Sequence, residues 1–432
     1  MASAQSTPFS LYVHVPFCGH RCAYCDFNTY AGQQNAIPKY VEALCREITL
    51  VGARLGATLR LHTVYFGGGT PSLLAPSQIG DMIASIRAGF LLEPDAEITL
   101  EANPGTVDQP ALEALRVLGV NRLSFGVQSA NGEELRQLER THTFLDVLSA
   151  FSIARSSGFE NLNADLIYGL PGQALRTWQE TVRRVLELGP QHISAYALTL
   201  ERGTPFGNWS ARGLLPTPDP DLAADMYEWA CRAFDQAGFG HYEISNWARP
   251  GFECRHNTQY WKGLPYLGVG AGAHGYANGY RYSNVLGIRA YIDRLMEDSE
   301  TIQDQRGARP LLGERRTPGE PSMAGWPPMT AASVDSHEQT IADDMADFML
   351  MGLRLTRDGI AASAFARRFG SPLAAEYGPE IAELQSLGLL ERLGREVSDA
   401  ALPVESSEPE YAIRLTARGR LLGNEVFKRF VD

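Results

Sequence analysis

The chain predicts an α/β protein: an incomplete (βα)6 barrel followed by a carboxyl-terminal winged-helix-like α+β domain. Three observations carry this. Six short β-type runs alternate with helical patterns across residues 1–200, which implies parallel β–α units joined by right-handed crossovers. Cysteine, glycine and polar residues recur where those runs end. A β/α barrel builds its site at that end of every strand, whereas a doubly wound sheet gathers ligand contacts at one switch point. Beyond residue 341, helices and short apolar strands resume in a new order.

The first run begins at Leu11, is stopped by Pro16, and feeds a loop holding Cys18, Cys22 and Cys25. Residues 36–51 read as an amphipathic helix with Ile37, Tyr40, Val41, Leu44 and Ile48 on one face. The second run, 61–66, ends in Gly67-Gly68-Gly69-Thr70-Pro71, and a helix is expected over 76–90. The third, 97–100, ends at Glu101-Ala102-Asn103-Pro104 and precedes a helix over 109–118. The fourth, 122–127, ends at Gln128, with helices over 133–138 and 143–157 after it. The fifth, 162–168, carries Asp165 within it and leads to Gly169-Leu170-Pro171-Gly172. A helix over 175–188 and a sixth run over 192–198 complete the series.

Beyond the sixth run, residues 203–220 are rich in Gly and Pro and read as a loop leaving the barrel, followed by a helix over 219–237. Residues 241–275 are dense in aromatics, Gly and His, with little helical periodicity. These readings divide the chain into a partial barrel over 1–200 and a barrel-completing region over 201–296. A Pro/Gly-rich, charged insertion follows over 297–340, with the composition of a linker or mobile segment. The last domain, 341–432, combines helices near 343–353, 361–369 and 381–387, a polar hairpin, a strand at 411–415 and a helix over 417–430. That order is winged-helix-like. DNA binding is one reading of such a domain and a docking module the other; the net charge of −12 favours the second.

The same charge argues against a general nucleic-acid binder. No run of ~18 apolar residues is present to span a bilayer. Residues 1–10 lack signal-peptide architecture. Six cysteines, three of them in one loop, fit a reducing cytoplasm. Cys45 and Cys231 sit in helical patterns and read as packing residues.

The spacing Cys18-x-x-x-Cys22-x-x-Cys25 brings three thiolates into one short loop. A four-iron cluster takes four thiolates as a rule, so three leave one iron open to an outside ligand. Zinc with His20 as fourth ligand, or a disulfide beside one spare thiol, are the competing readings of the spacing. Gly67-Gly68-Gly69-Thr70-Pro71 exposes backbone to a ligand at a strand end and lacks the Lys-Ser/Thr ending of a nucleotide P-loop. Glu101 offers a carboxylate to a cationic amino group or ribose hydroxyls, or is a surface charge. Gln128 can donate and accept. Arg140 can pair with a carboxylate or sit solvated at a helix end. Asp165 in an apolar strand is costly without a partner.

In order and spacing these motifs resemble the radical S-adenosylmethionine (SAM) superfamily, and within it the HemW-type heme chaperones, relatives of the oxygen-independent coproporphyrinogen dehydrogenases. The resemblance runs from about residue 9 to the carboxyl terminus. It implies ligation of a [4Fe-4S] cluster by Cys18, Cys22 and Cys25. It implies SAM contacts from Tyr12, Gly68, Gly69, Thr70, Glu101, Gln128, Arg140 and Asp165. In that superfamily SAM chelates the open iron, and an electron from the cluster can break its carbon–sulfur bond to give a 5′-deoxyadenosyl radical.

Two features separate the branches. Coproporphyrinogen dehydrogenases carry a further cysteine two places after the third; here that place is Phe27. His256-Asn257-Thr258-Gln259-Tyr260-Trp261 resembles the His-Asn-x-x-Tyr-Trp motif implicated in heme binding in HemW-type proteins. An imidazole can ligate heme iron, and Tyr260 and Trp261 could supply apolar walls. A loop histidine in an aromatic cluster is the plainer reading of His256, and His241, His274 and Cys254 are rival ligands nearby.

The resulting expectation is a heme chaperone that holds a [4Fe-4S] cluster and SAM and passes heme to apoproteins such as cytochromes. Its electron donor is expected to be of flavodoxin or ferredoxin type. The alternatives are a coproporphyrinogen III dehydrogenase and, from another class, a zinc-stabilised module whose last domain touches DNA. The sequence leaves open whether SAM is cleaved in turnover, how heme is attached and how the chain oligomerises.

Overall fold

A computed structural model describes residues 8–55, 59–297, 330–394 and 411–431. Its centre is a run of six parallel strands, neighbours in chain order: β1 (Phe9–Val15), β2 (Arg60–Gly68), β3 (Leu91–Ala102), β4 (Arg122–Gln128), β5 (Asn161–Tyr168) and β6 (His192–Ala197). Helices α1 (Ile37–Leu55), α2 (Pro76–Gly89) and α3 (Gln109–Leu118) join the first four strands. After β4 come the short α4 (Gly132–Gln137) and α5 (Phe144–Ser156), and α6 (Leu175–Glu187) joins β5 to β6.

The parallel run is the expected one, but the sheet does not stop there. After α7 (Pro205–Ala211) and α8 (Pro220–Gln236), the aromatic-rich region forms β7 (Gly240–Glu243) and β8 (Asn246–Ala248), which add antiparallel beyond β6. Helix α9 (Arg255–Trp261) follows. Then β9 (Tyr266–Val269) pairs parallel with β1 on the opposite side. Strands β10 (His274–Ala277) and β11 (Tyr280–Asn284) extend that side antiparallel, and after α10 (Ile288–Glu297) so does β12 (Ser333–Glu338). The result is a 12-stranded mixed sheet with two free ends rather than a six-stranded one. Most of the expected 297–340 insertion lies outside the described residues, yet its last part is ordinary sheet. The low hydrophobicity of 333–338 fits an edge strand, where few side chains are buried.

Period-two alternation sorts each central strand into two faces. Leu11, Val13, Val64, Phe66, Ile98, Leu100, Leu123, Phe125, Leu162 and Ala164 point to the helical layer and are buried in one continuous core. Each such aliphatic side chain contributes about 1.5–3 kcal/mol on burial. The helices meet this layer through matching stripes: on α1, Tyr40, Val41, Leu44, Ile48 and Val51 are buried. The alternate residues face the other way and are polar: Ser10, Thr63, Thr99, Ser124, Asn163 and Ser194, all buried. A polar inner face of this kind needs something polar to meet, and the candidate site lies there.

The carboxyl-terminal region comprises α11 (Ile341–Gly352), β13 (Ile360–Ala361), α12 (Ala362–Phe369), α13 (Leu373–Ser386), β14 (Leu390–Gly394) and β15 (Tyr411–Leu415). The three strands form an antiparallel sheet in the order β13-β15-β14 over a separate core built on Met349, Leu353, Phe365 and Ile413. The expected helix over 417–430 is broken into Ala417–Leu421, Gly423–Phe427 and a last 3-10 turn. Most of the expected polar hairpin lies outside the described residues. No helix among the described residues is long and apolar enough to cross a membrane.

Candidate functional site

The loop after β1 carries three free cysteines, Cys18 buried and Cys22 and Cys25 half-buried. Each thiol has a polar neighbour. Thr70 Oγ1 lies 3.8 Å from Cys18 Sγ, Arg140 Nη1 3.8 Å from Cys22 Sγ, and Thr29 Oγ1 3.8 Å from Cys25 Sγ. Burial raises the Cys18 and Cys25 thiols; Cys25 and Cys22 raise Cys18 further, and Cys22 raises Cys25, which places all three in one electrostatic neighbourhood. Among the described residues no three His, Cys, Asp or Glu side chains converge on a point fit for one metal ion. His20 is turned to Glu139, 3.3 Å away.

The glycine stretch welds this loop to the sheet. Gly69 N donates to Val15 O (2.8 Å) and Thr70 N to Phe17 O (2.8 Å). A Cβ on Gly69 would fall 2.6 Å from Phe17 O. Gly68 has φ of +114°, and a Cβ there would strike the His14 ring. Before any ligand, the first demand on this bare backbone is the close approach of β1 and its own loop.

From Gly68 the inner face continues through two half-buried acids, Glu101 and Asp165. Gly68 N donates to Glu101 Oε2 (3.0 Å) and Tyr65 OH to Glu101 Oε1 (2.8 Å). Burial, reinforced by Asp165, pushes the Glu101 carboxyl up to about 7 against these hydrogen bonds. Asp165 accepts from Ser124 Oγ (2.9 Å) and Asn163 Nδ2 (2.8 Å), and burial raises it too. Fully buried Arg122 draws both carboxyls back down; burial opposes its own charge, and the nearby Glu97 carboxylate favours it. Among the described residues its Nε has no hydrogen-bond partner. Gln128 takes a left-handed φ of +66° at a bulge in β4 and lies beside Arg140 over Gly126. Arg140 donates from Nη2 to Gly126 O (3.0 Å), and its Nε is a second buried orphan.

Tyr12, Gly68 and Glu101 open into a cavity of about 550 Å³, within the range of small-ligand sites. Its far wall comes from Tyr260 and Trp261 at the end of α9, from β10 and from α11, and Phe27 stands at its mouth, 63% exposed. His256 is not in the lining. Its ring is buried and stacked on Tyr65 at 4.9 Å. Thr63 donates to Ser10 (2.6 Å), so it accepts from His256 Nδ1 (2.8 Å), leaving His256 Nε2 to accept from Tyr260 OH (2.8 Å). That tautomer is neutral, and burial lowers the group to about 3.

The structure therefore gathers Tyr12, Gly68, Gly69, Thr70, Glu101, Gln128, Arg140 and Asp165 at the carboxyl end and inner face of the parallel strands, with Thr70 and Arg140 reaching Cys18 and Cys22. It sets His256 one layer behind the cavity. Arg122, His14 and Tyr65 escaped the sequence reading. The signal for them was strand alternation, since each shares the inner face with a residue already singled out. Three free thiols, one beside a guanidinium, two orphaned buried nitrogens and two half-buried carboxyls form a donor set that fits a cluster with a zwitterionic ligand.

The radical SAM superfamily model matches residues 12–185, and the HemN C-terminal domain model residues 340–398. The chain is 35% identical to the heme chaperone HemW of Bacillus subtilis, across 98% of this chain and 99% of that one. The chain belongs to the HemW family. The HemW of Mycobacterium tuberculosis is 38% identical over 83% of this chain and 94% of its own length. The solved structure of coproporphyrinogen III oxidase HemN from Escherichia coli covers 99% of this chain and 91% of its own, with a TM-score of 0.74 at 24% identity. That likeness shows a shared α/β fold with the HemW-family chain.

Proposed function

We propose that this protein is a heme chaperone: it binds heme, holds a [4Fe-4S] cluster with SAM, and hands heme to acceptor haemoproteins such as cytochromes. The observation that carries the reading is one cavity that joins the cysteine-loop end of the sheet to Tyr260 and Trp261 of the heme-type motif. Cys18, Cys22 and Cys25 are the residues to hold the cluster, and Tyr12, the 68–70 backbone, Glu101, Gln128, Arg140 and Asp165 those to hold SAM. The cluster and SAM together would supply one-electron chemistry. The chain's own residues bind and orient: Glu101 and Asp165 oppose positive charge, while Arg140 steadies the Cys22 thiolate.

A flavodoxin- or ferredoxin-type donor suits the cysteine loop, where Gly19 and His20 are exposed. Phe27, in the place where the dehydrogenase branch has a further thiol, counts against coproporphyrinogen turnover.

The test is anaerobic reconstitution followed by absorption titration with heme. Stoichiometric heme binding by cluster-loaded protein is expected. A protein that takes up iron and sulfide yet no heme, and releases carbon dioxide from coproporphyrinogen III, would establish the dehydrogenase instead.

A further inference from the structure

We infer that His274, at the start of β10, supplies the axial ligand to heme iron in this cavity, and that His256 acts one step removed by positioning Tyr260. The inference rests on the heme reading above and specifies which atom meets the iron.

The cavity contains two imidazoles, His14 and His274. His14 is committed. Its Nε2 donates to Asn28 O (2.9 Å), so its Nδ1 accepts from Tyr12 OH (2.9 Å), and the ring is 5% exposed. The phenols that could serve as iron ligands are committed too. Tyr260 OH donates to His256, Tyr276 OH donates to Asp344 Oδ1 (2.6 Å), and Tyr266 is bonded to Arg281. His274 is exposed in the cavity wall, and among the described residues its ring has no hydrogen-bond partner. An imidazole without a protein partner, facing a largely aromatic cavity, is the donor that heme iron takes.

The backbone holds His274 firmly. Its strand pairs with β11, His274 opposite Ser283. The preceding turn passes through Gly270 and Gly272, with φ of +102° and +78°. Gly270 N donates to Glu47 Oε2 (2.8 Å) and Ala271 N to Tyr40 OH (2.9 Å). Asn28, three residues after Cys25, donates from Nδ2 to Ala271 O and Leu286 O, both at 3.0 Å. The loop proposed to hold the cluster and the turn that presents His274 are thus tied directly. A ligand fixed by rigid elements in this way is preorganised.

His256 Nε2, by contrast, is occupied by the Tyr260 hydroxyl, and His256 lies outside the lining. For it to ligate iron, that hydrogen bond would have to break and a buried ring would have to swing out. Its role in this arrangement is to hold the Tyr260 ring against the cavity.

The experiment is heme titration of the full-length, cluster-reconstituted protein, following Soret position and affinity. His274→Ala is expected to shift the Soret band and weaken heme binding by about tenfold or more. Free imidazole added to His274→Gly is expected to restore the wild-type band. His256→Ala is expected to weaken binding while leaving the band where it was, because the iron ligand is unchanged. A His274→Ala protein with the wild-type band and affinity overturns the inference and leaves the chaperone reading standing. So does a band shift confined to His256→Ala. Wild-type protein that binds no heme overturns both. Should His274→Ala fail to fold, His274→Gln, which keeps volume and polarity but ligates iron poorly, is read by the same criteria.

Discussion

Glu101 is the residue whose protonation matters most on the inner face. Its carboxyl is pushed up to about 7 by burial and by Asp165, above the ordinary carboxylate range. The sign follows from linkage. Between about pH 4.3 and 7 the folded protein retains a proton that the unfolded chain has lost, so stability falls as pH rises through that window and levels off above it. Urea unfolding from pH 4.5 to 7.5 should show this decline in the wild type and a shallower one in Glu101→Gln. A cationic group bound beside Glu101 would favour the ionised acid and displace that proton. Arg122 is the counterpart. Removing a fully buried guanidinium leaves Glu97 and Asp165 without their opposing charge, and Arg122→Leu should cost about 3–5 kcal/mol, the usual scale for breaking a buried charge set. Denaturant unfolding measures it directly.

At the scale of elements, the glycine stretch after β2 decides whether the cysteine loop can sit where it does. Gly69→Ala would drive a methyl into Phe17 O, a backbone atom that cannot turn aside. The expected result is a folded protein that takes up much less iron on reconstitution than wild type. Gly105→Ala, where the nearest atom to the new Cβ is 3.9 Å away, should load normally. Helix α8 offers a simpler check. Asp219 caps it by accepting from Asp221 N (3.0 Å) and Leu222 N (3.2 Å), with Pro220 in the first turn. Asp219→Ala should lower stability by about 1 kcal/mol, read as a shift in thermal midpoint. Asp followed by Pro before an apolar stripe was a start signal visible in the chain itself.

Across the whole molecule, the cavity exists because the carboxyl-terminal region packs on the sheet's extension. Arg368 on α12 makes that junction. It donates to Asp344 on α11 (2.9 Å), to Tyr276 OH on β10 (2.8 Å) and to Gly263 O beyond α9 (2.6 Å). Arg281 on β11 reinforces it through Asp347 (2.6 Å). Both pairs are about three-quarters or two-thirds buried, so they are less screened than surface ion pairs. Arg368→Met should cost about 1.5–3 kcal/mol, and faster hydrogen exchange in α11 and β10 should accompany it. If the junction were incidental, exchange there would match the wild type.

What the chain determined by itself was everything set by local period or by fixed spacing. The six parallel strands and their helices follow from alternation and 3.6-residue stripes, and the three thiols from their positions in one loop. Strand ends are local features, so Gly68, Glu101 and Gln128 could be placed at one end of the sheet before any packing was known. The edge strands were not legible. Residues 333–338 bury few side chains, and the pairing partners of 240–284 lie far away in sequence: β9 joins β1 across more than two hundred residues. The direction of a side chain off a short helix is likewise a tertiary matter. His256 and Tyr260 are one turn apart, yet packing against Tyr65 and Thr63 draws the histidine into the sheet and leaves the tyrosine facing the cavity. The motif named the region; the long-range contacts decided which of its atoms face the open space.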